Sequence, residues 1–444
     1  MKLTNAIGAI LLASQSVSAL TRTSSVFHQA PRRNDSTAAP AADPMLPLSP
    51  DSSFHFEILR ALAMATGQGG DIGEVLVAAQ KIAPGDFESF YRAFYELAER
   101  VSAAAGTIDA IKYPVSARTT LFRAATYYRS ADFYLHGNWS DPRIDSLWAK
   151  QTAAFDAAMA LLPIPGERIT LQASAGADAG ADEGGQSGDF SIPAIFYRSS
   201  WPGPRPTLIM CNGYDGSQEE LYHYAGQDAL NRGMNVLTFE GPGQPTVRRG
   251  QGLGFINEWE RVVTPVPSWG CPSVVTSPPR RGIGAPPRRR LGPGGIWDFG
   301  ASVFKMLPPQ LNAMHASGNT TGVDAAIEGV LADPHVPTSM RWGTEQGMWS
   351  FKAATPSEFL TKMRAYNLEG VVHNITAPVF VADAENDLFF PGQAPQLAKA
   401  LGDKATYHMF RASEGAGEHC STGASFLRNQ VALDWLEEVL SVSD

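Results

Sequence analysis

The chain has 444 residues, 44% hydrophobic and 18% charged, which suits one large or two ordinary globular domains with a sizeable core. Its formal net charge of -9 and isoelectric point near 5.5 argue against a nucleic-acid partner, whose expected footprint is a basic face. Three cysteines, Cys211, Cys271 and Cys420, are an odd count and no disulfide framework; Cys211 and Cys420 read as buried small residues.

Met1-Lys2, an apolar run from Ala6 to Leu12 and the small-residue end Val17-Ser18-Ala19 form a secretory signal peptide, expected to span residues 1–19. Later segments stay short of the roughly 18 consecutive apolar residues of a membrane span, so none is expected. N-x-S/T sequons at Asn34, Asn138, Asn319 and Asn374 fit a glycosylated protein of the secretory pathway. Residues 20–50, rich in Ser, Pro, Ala and Asn, read as a disordered linker.

Residues 51–165 read as a helical domain. Phe87, Tyr91, Phe94, Tyr95, Leu97 and Ala98 recur at helical spacing behind Asp86, a candidate N-cap. Ser116–His136 and Pro142–Leu162 repeat the pattern, and β-alternation is absent.

From residue 166 to 444 the pattern alternates between strands and helices. Arg168–Leu171 and Ile192–Tyr197 read as a hairpin around a Gly/Ala/Asp-rich loop, Ala173–Gly188. Further strands are expected at Thr207–Met210, Asn235–Phe239, Pro378–Ala382 and Thr406–Phe410. Helices are expected at Glu219–Arg232, Ile256–Val263 and Leu427–Leu440. Such alternation implies an α/β class with a mainly parallel sheet covered on both faces. The helical stretch at about 301–368 has the position of an inserted lid; its Trp342, Met348, Trp349 and Phe351 suit either an apolar pocket or the lid's own core.

Two sites stand out near the C-terminus. Asp387 lies just past an apolar strand, where ligand-facing groups of a parallel sheet collect. Asp383, inside the strand, and Glu385 are its rivals. His419 sits in a Gly-rich loop between the last strand and the terminal helix. An acid followed by a loop histidine is how an α/β-hydrolase ends, with triad partners in chain order nucleophile, acid, histidine. His419 is then the general base and Asp387 the group that orients it. His408, in a strand, reads as packing.

Upstream, Asn212–Ser217 is a Gly-containing turn after a strand. Its backbone amides at Gly213, Tyr214 and Asp215 are candidates for an oxyanion site, against the plain alternative of a tight turn. Ser217 sits past the wrong strand for a nucleophile. Glu240, at the exit of the next strand, either meets substrate or is a satisfied structural carboxylate. No His/Cys/Asp set has metal-ligand spacing, so neither metal nor cofactor is expected, and the sequence carries no sign of oligomeric state.

The nucleophile is missing. No G-x-S-x-G occurs, and Pro267–Pro293 fills its place, 27 residues of which more than half are Pro, Gly or Arg. Completing that part of the fold takes roughly 40 to 50 residues at ordinary element lengths, and proline breaks both helix and central strand. Three explanations stand. The stretch is a shifted reading frame, in which Ala codons read one register off become Arg and Pro codons. Or the chain is a homologue without a nucleophile. Or Cys271 or Ser273 substitutes.

Over about residues 55–266 and 294–440 the chain resembles a family of α/β-hydrolases with an N-terminal helical domain. The family includes fungal secondary-metabolite hydrolases of the heptaketide-shortening and fusarin/cytochalasan-cluster types. The pieces that carry the resemblance are Arg123–Arg129, Asn212–Ser217, Phe239–Gln244 with Trp259-Glu260, Gly294–Phe299, Glu385–Gln393 and Glu414–Ala424. The resemblance implies a Ser-Asp-His triad whose last two members fall on Asp387 and His419. The family's serine falls inside Pro267–Pro293, where nothing matches it. It also implies a small hydrophobic substrate, a polyketide or polyketide–amino acid intermediate, cleaved at an ester, amide or C–C bond or assisted in ring closure.

Overall fold

The computed structural model describes residues 44–173, 188–266, 274–275, 290–292 and 295–441. The expected signal peptide, Asn34, most of the linker and of the Ala173–Gly188 loop, and both Cys271 and Ser273 lie outside the described residues.

Among the described residues five α-helices come first: α1 (Ser52–Ala63), α2 (Ile72–Ala79), α3 (Phe87–Gly106), α4 (Pro114–Asp132) and α5 (Pro142–Ala160). Their starts are written in the sequence. Asp51, Asp71, Asp86 and Asp141 each cap a first turn by accepting from backbone amides, and Pro114 and Pro142 stand where a missing N–H costs nothing. The helices share one apolar cluster with the sheet. Phe54, Phe90, Phe122, Tyr127 and Phe155 pack in the same body as Ile195, Tyr197 and Val236 of the strands and Leu433 and Leu436 of the terminal helix.

Eight strands follow: β1 (Glu167–Ala173), β2 (Phe190–Tyr197), β3 (Thr207–Cys211), β4 (Asn235–Phe239), β5 (Val274–Val275), β6 (Arg290–Gly292), β7 (Val379–Ala384) and β8 (Ala405–Phe410). They are hydrogen-bonded in the order β1-β2-β4-β3-β5 and, separately, β6-β7-β8. The β1–β2 hairpin and the β2–β4 pair are antiparallel; every pair beyond them is parallel. The buried strand β7, inward on all six residues, is what a parallel sheet covered on both faces requires.

Two expectations need correction. The helix read from Ile256 begins only at Glu260 and ends at Val263. Ile256 instead belongs to a core cluster with Val262 and Val263, and Phe255 stacks on Trp259 and Phe351. The stretch Pro267–Pro293 is also not wholly outside the fold: Val274–Val275 pair with Thr207–Leu208, and Arg290–Gly292 pair with Val379–Val381. Backbone pairing needs only extended residues, and these two pieces fall between the prolines.

Five helices between β6 and β7 form the lid: Phe299–Met306, Pro309–Ala316, Thr320–Leu331, Thr338–Phe351 and Pro356–Met363. They have their own core around Leu311, Val323, Phe351, Phe359 and Met363. The terminal helix, Ser425–Ser441, covers the sheet near β8, with Trp435 against Phe380.

Candidate active site

The acid and the histidine meet. Asp387 follows β7 and His419 follows β8, neighbouring parallel strands whose C-terminal ends open on the same side. His419 Nδ1 donates to Asp387 Oδ2 at 2.8 Å, and Asp387 Oδ1 accepts from the amides of Phe389 and Phe390 at 2.8 and 2.9 Å. Both carboxylate oxygens are therefore fixed, and the ring is oriented with Nδ1–H on the acid and Nε2 toward the Cys420 sulfur, 3.3 Å away. Burial opposes the charge of Asp387, but the imidazole and the two amides outweigh it and hold its pKa below the ordinary carboxylate value. For His419 burial again opposes the charge. Cys420 and Asp387 outweigh it and raise the imidazole well above its usual value.

The rival acids point elsewhere. Asp383 accepts from Tyr407 Oη at 2.7 Å and from the amide of Ala384. Glu385 accepts from the amide of Ala412 and lies near Arg411. His408 stacks on Phe380 and meets Phe410.

The histidine loop is shaped by two residues in the left-handed region, Cys420 (φ 55°) and Ser421 (φ 52°). For side-chain-bearing residues that conformation costs about 1 kcal/mol or more each, so the surroundings must enforce it. Tyr224 Oη donates to the Cys420 carbonyl at 2.8 Å, and the Ser421 amide donates to Glu418 at 2.7 Å. Arg428, stacked over the Tyr224 ring, adds a donor to the same Cys420 carbonyl. The result turns the Cys420 sulfur back onto the ring, 3.3 Å from His419 Nε2.

Aromatic side chains wall the imidazole. Phe389, Phe390 and Phe56 have ring centroids 4.9, 5.7 and 6.2 Å from it. Phe389 continues to Trp342 of the lid, and Phe390 to Phe299. Tyr214 touches both Phe299 and Trp342, so the Asn212–Ser217 turn faces the same aromatic enclosure. Of the four lid residues singled out in the sequence, Trp342 faces this enclosure. Trp349 stacks on His136 under a neighbouring helix, and Phe351 and Met348 belong to the lid core.

The turn itself is held from the helical unit. Asp215 receives Arg60 Nη1 at 2.6 Å, and its carbonyl accepts from Arg129 Nη2 at 3.2 Å. Arg60 also grips Glu220, and Arg129 donates to Glu57 at 3.0 Å. Two guanidinium groups thus face three carboxylates in a buried cluster. Burial raises Glu57 despite both arginines. In Asp215 and Glu220 the arginines overcome burial and lower the pKa. A proton on Glu57 would bring the cluster to neutrality. On the lid side, the Tyr214 carbonyl accepts from Gln346 and Ser350.

Two sequence expectations are corrected at this turn. The Gly213 amide is occupied by the side chain of Asn212 at 2.9 Å. Glu240 is fully buried, and its oxygens accept from the amides of Gln218 (2.8 Å) and Thr246 (2.6 Å). It therefore ties the turn region to the next helix, as the satisfied structural carboxylate that was one of its two readings. Burial, reinforced by the charge of Glu219, pushes it up to about 7 against those two donors. Ser217 is buried and caps the following turn through Glu220 N.

Sequence reasoning missed Phe56, Glu57 and Arg60. The signal was present: two charged residues three apart, Glu57 and Arg60, within the apolar-rich stretch Phe54–Ala63 of α1. Arg129 closes the Arg123–Arg129 motif, whose Tyr127 and Tyr128 bond Glu74 and Glu99.

The strand order, the acid after β7 and the histidine after β8 define an α/β-hydrolase fold. Comparison with solved structures agrees: the 2,6-dihydroxy-pseudo-oxynicotine hydrolase superposes with a TM-score of 0.61 at 19% identity, covering 86% of this chain and 97% of that one. No family model matches the chain. Among characterised proteins it is similar to hydrolase LUC6 of a Fusarium species, 28% identical over 423 residues, 88% of this chain and 98% of that protein. It is also 27% identical over 420 residues to the 20-hydroxy-prefusarin hydrolase FUS2 of Gibberella moniliformis, covering 88% of this chain and 97% of that protein. The chain is thus an α/β-hydrolase-fold protein that resembles fungal secondary-metabolite hydrolases over nearly their full length.

Proposed function

We propose that this chain is a hydrolase of a small hydrophobic metabolite, of the polyketide or polyketide–amino acid class. The observation that carries the reading is the Asp387–His419 hydrogen bond of 2.8 Å, which fixes the imidazole within an aromatic enclosure that reaches Trp342 of the lid. His419 takes the nucleophile's proton and returns it to the leaving group, while Asp387 holds the ring and stabilises its charged form. The Tyr214 amide is the donor this reading assigns to the developing oxyanion, since the Gly213 amide is taken by Asn212 and the Asp215 amide by its own carboxylate; the turn is clamped by Arg60 and Arg129. The likeness to a 20-hydroxy-prefusarin hydrolase supports the substrate class. In the serine form of this reading the nucleophile stands after β5, in the Pro267–Pro293 stretch of a correctly framed transcript.

A second reading, a ligand-binding homologue without a nucleophile, is favoured by the absence of G-x-S-x-G. Purified protein given medium-chain p-nitrophenyl esters and a fluorophosphonate probe separates the two. The hydrolase reading predicts turnover and labelling that His419→Ala lowers by about 10²-fold or more. Turnover indistinguishable between the two proteins contradicts it. Sequencing the transcript between the codons of Thr264 and Trp297 then reports whether the Pro/Arg text is genuine.

We also propose passage through the secretory pathway, on the signal-peptide pattern of residues 1–19 and the exposure of Asn138, Asn319 and Asn374. The Asn319 side chain also caps the Thr320–Leu331 helix. Loss of mass on treatment of the secreted protein with an N-glycosidase tests this, and an unchanged mass argues against it.

A further inference from the structure

We propose that Cys420 is a nucleophilic thiol, the third member of an Asp387–His419–Cys420 set, which reacts with acyl and alkyl electrophiles entering the aromatic enclosure. The inference uses the base role given to His419 above but not the serine. Its ground is geometric. Nδ1 of His419 is committed to Asp387 at 2.8 Å, and the ring's other nitrogen is met by the Cys420 sulfur at 3.3 Å, within hydrogen-bonding range for sulfur. An imidazole backed by a carboxylate and facing a thiol is the arrangement that turns a weak nucleophile into a strong one. The contact is built rather than incidental. Cys420 and Ser421 are held at positive φ, and Tyr224 and Arg428 both bond the Cys420 carbonyl, so the backbone that aims the side chain at the ring is fixed.

The surroundings also point to a ligand. Phe56, Phe389 and Phe390 enclose the imidazole and connect it, ring by ring, to Trp342 of the lid. The Trp342 indole N–H is buried without a hydrogen-bond partner in this enclosure. Cys420 is half-buried, with its sulfur against the imidazole that these rings surround. Asp387, bonded to Nδ1, stabilises the imidazolium that forms when His419 takes the thiol proton. Cys211 supplies the contrast within the same chain. It is held by Gln244, far from any imidazole, and burial pushes its thiol up to about 12.

The acyl step balances simply. The Cys420 proton passes to His419, and the thiolate adds to the ester carbonyl. The alkoxide departs with the proton from His419, leaving a thioester on sulfur. Water, deprotonated by His419, then adds to the thioester; the carboxylic acid leaves and the thiol is restored. With an alkyl halide the S–C bond forms, halide departs and the proton is released to solvent.

The test is alkylation of the full-length protein with iodoacetamide, followed cysteine by cysteine by peptide mass spectrometry at pH 6 and pH 8. Cys420 is expected to react at pH 6 at least about tenfold faster than glutathione, because the His419 imidazole beside its sulfur takes the thiol proton as the new bond to sulfur forms. Cys211 stays unmodified, which reports that the fold is intact. His419→Gln should slow Cys420 about tenfold or more at pH 6 while Cys211 remains protected. Asp387→Asn gives the same direction should His419→Gln not fold. Brief exposure to p-nitrophenyl acetate should leave an acetyl group on the Cys420 peptide that neutral hydroxylamine removes. Cys420 alkylation no faster than glutathione, or an unchanged rate in both variants, overturns the proposal. The serine reading is scored separately by the fluorophosphonate probe, so the two fail independently.

Discussion

Asp387 is fixed by the amides of Phe389 and Phe390, two and three residues further along the chain, whereas Asp215 is gripped by Arg60, 155 residues away. Both carboxylates belong to one site, yet their supports differ in kind. The acid–histidine side rests on a short loop after each of two neighbouring strands. The turn opposite rests on a buried charge cluster that ties α1 and α4 of the helical unit to the sheet. Removing the helical unit would leave the acid's amide bonds in place, but would take away the guanidinium groups that hold the turn, together with Phe56 of the aromatic wall. The helices are thus part of the site's construction and not an appendage to it.

The largest expected effect comes from breaking the clamp. Arg129→Ala leaves Glu57, Asp215 and Glu220 short of a buried partner, which should lower unfolding free energy by about 3–5 kcal/mol in urea titration. Asp387→Ala loses two bonds to amides two and three residues on and the one to His419, all within the strand-end loops, and should cost about 1–2 kcal/mol. Equal losses in the two variants would break the distinction between long-range and local support.

A second, smaller effect sharpens the same contrast through pH. Glu240 ties the turn region to the helix beyond it, and burial with the neighbouring Glu219 charge raises its pKa from 4.5 to about 7. Between those values the folded protein keeps a proton that the unfolded chain has released, so stability falls as pH rises through the window, by up to about 3 kcal/mol. Glu240→Gln removes the ionisation and should flatten the stability profile between pH 5 and pH 8. Parallel profiles for the two proteins would assign the slope to another group.

How much of this was legible follows the same division. The Asp387 and His419 positions could be read because each sits just past a strand, in a loop whose composition announces it. Strand pairs, the Asp86 cap and the lid helices were readable for similar reasons, since periodicity and capping are local. The clamp was not read, because Arg60 meets Asp215 only after five helices have folded against the sheet. Glu240 misled for a related reason: a carboxylate at a strand exit looks ligand-facing until the amides of Gln218 and Thr246 are brought to it. Cys420 was taken for a small buried residue because sequence alone does not reveal that positive φ folds its sulfur onto the preceding ring.

The account's central claim is that Asp387 orients the His419 imidazole and stabilises its charged form. Titration of the His419 imidazole by NMR in the wild-type protein and in Asp387→Asn tests it most directly. The account predicts a wild-type pKa well above the ordinary histidine value, which falls clearly once the carboxylate is replaced. A wild-type imidazole titrating at or below its ordinary value, or one indifferent to Asp387→Asn, would contradict it.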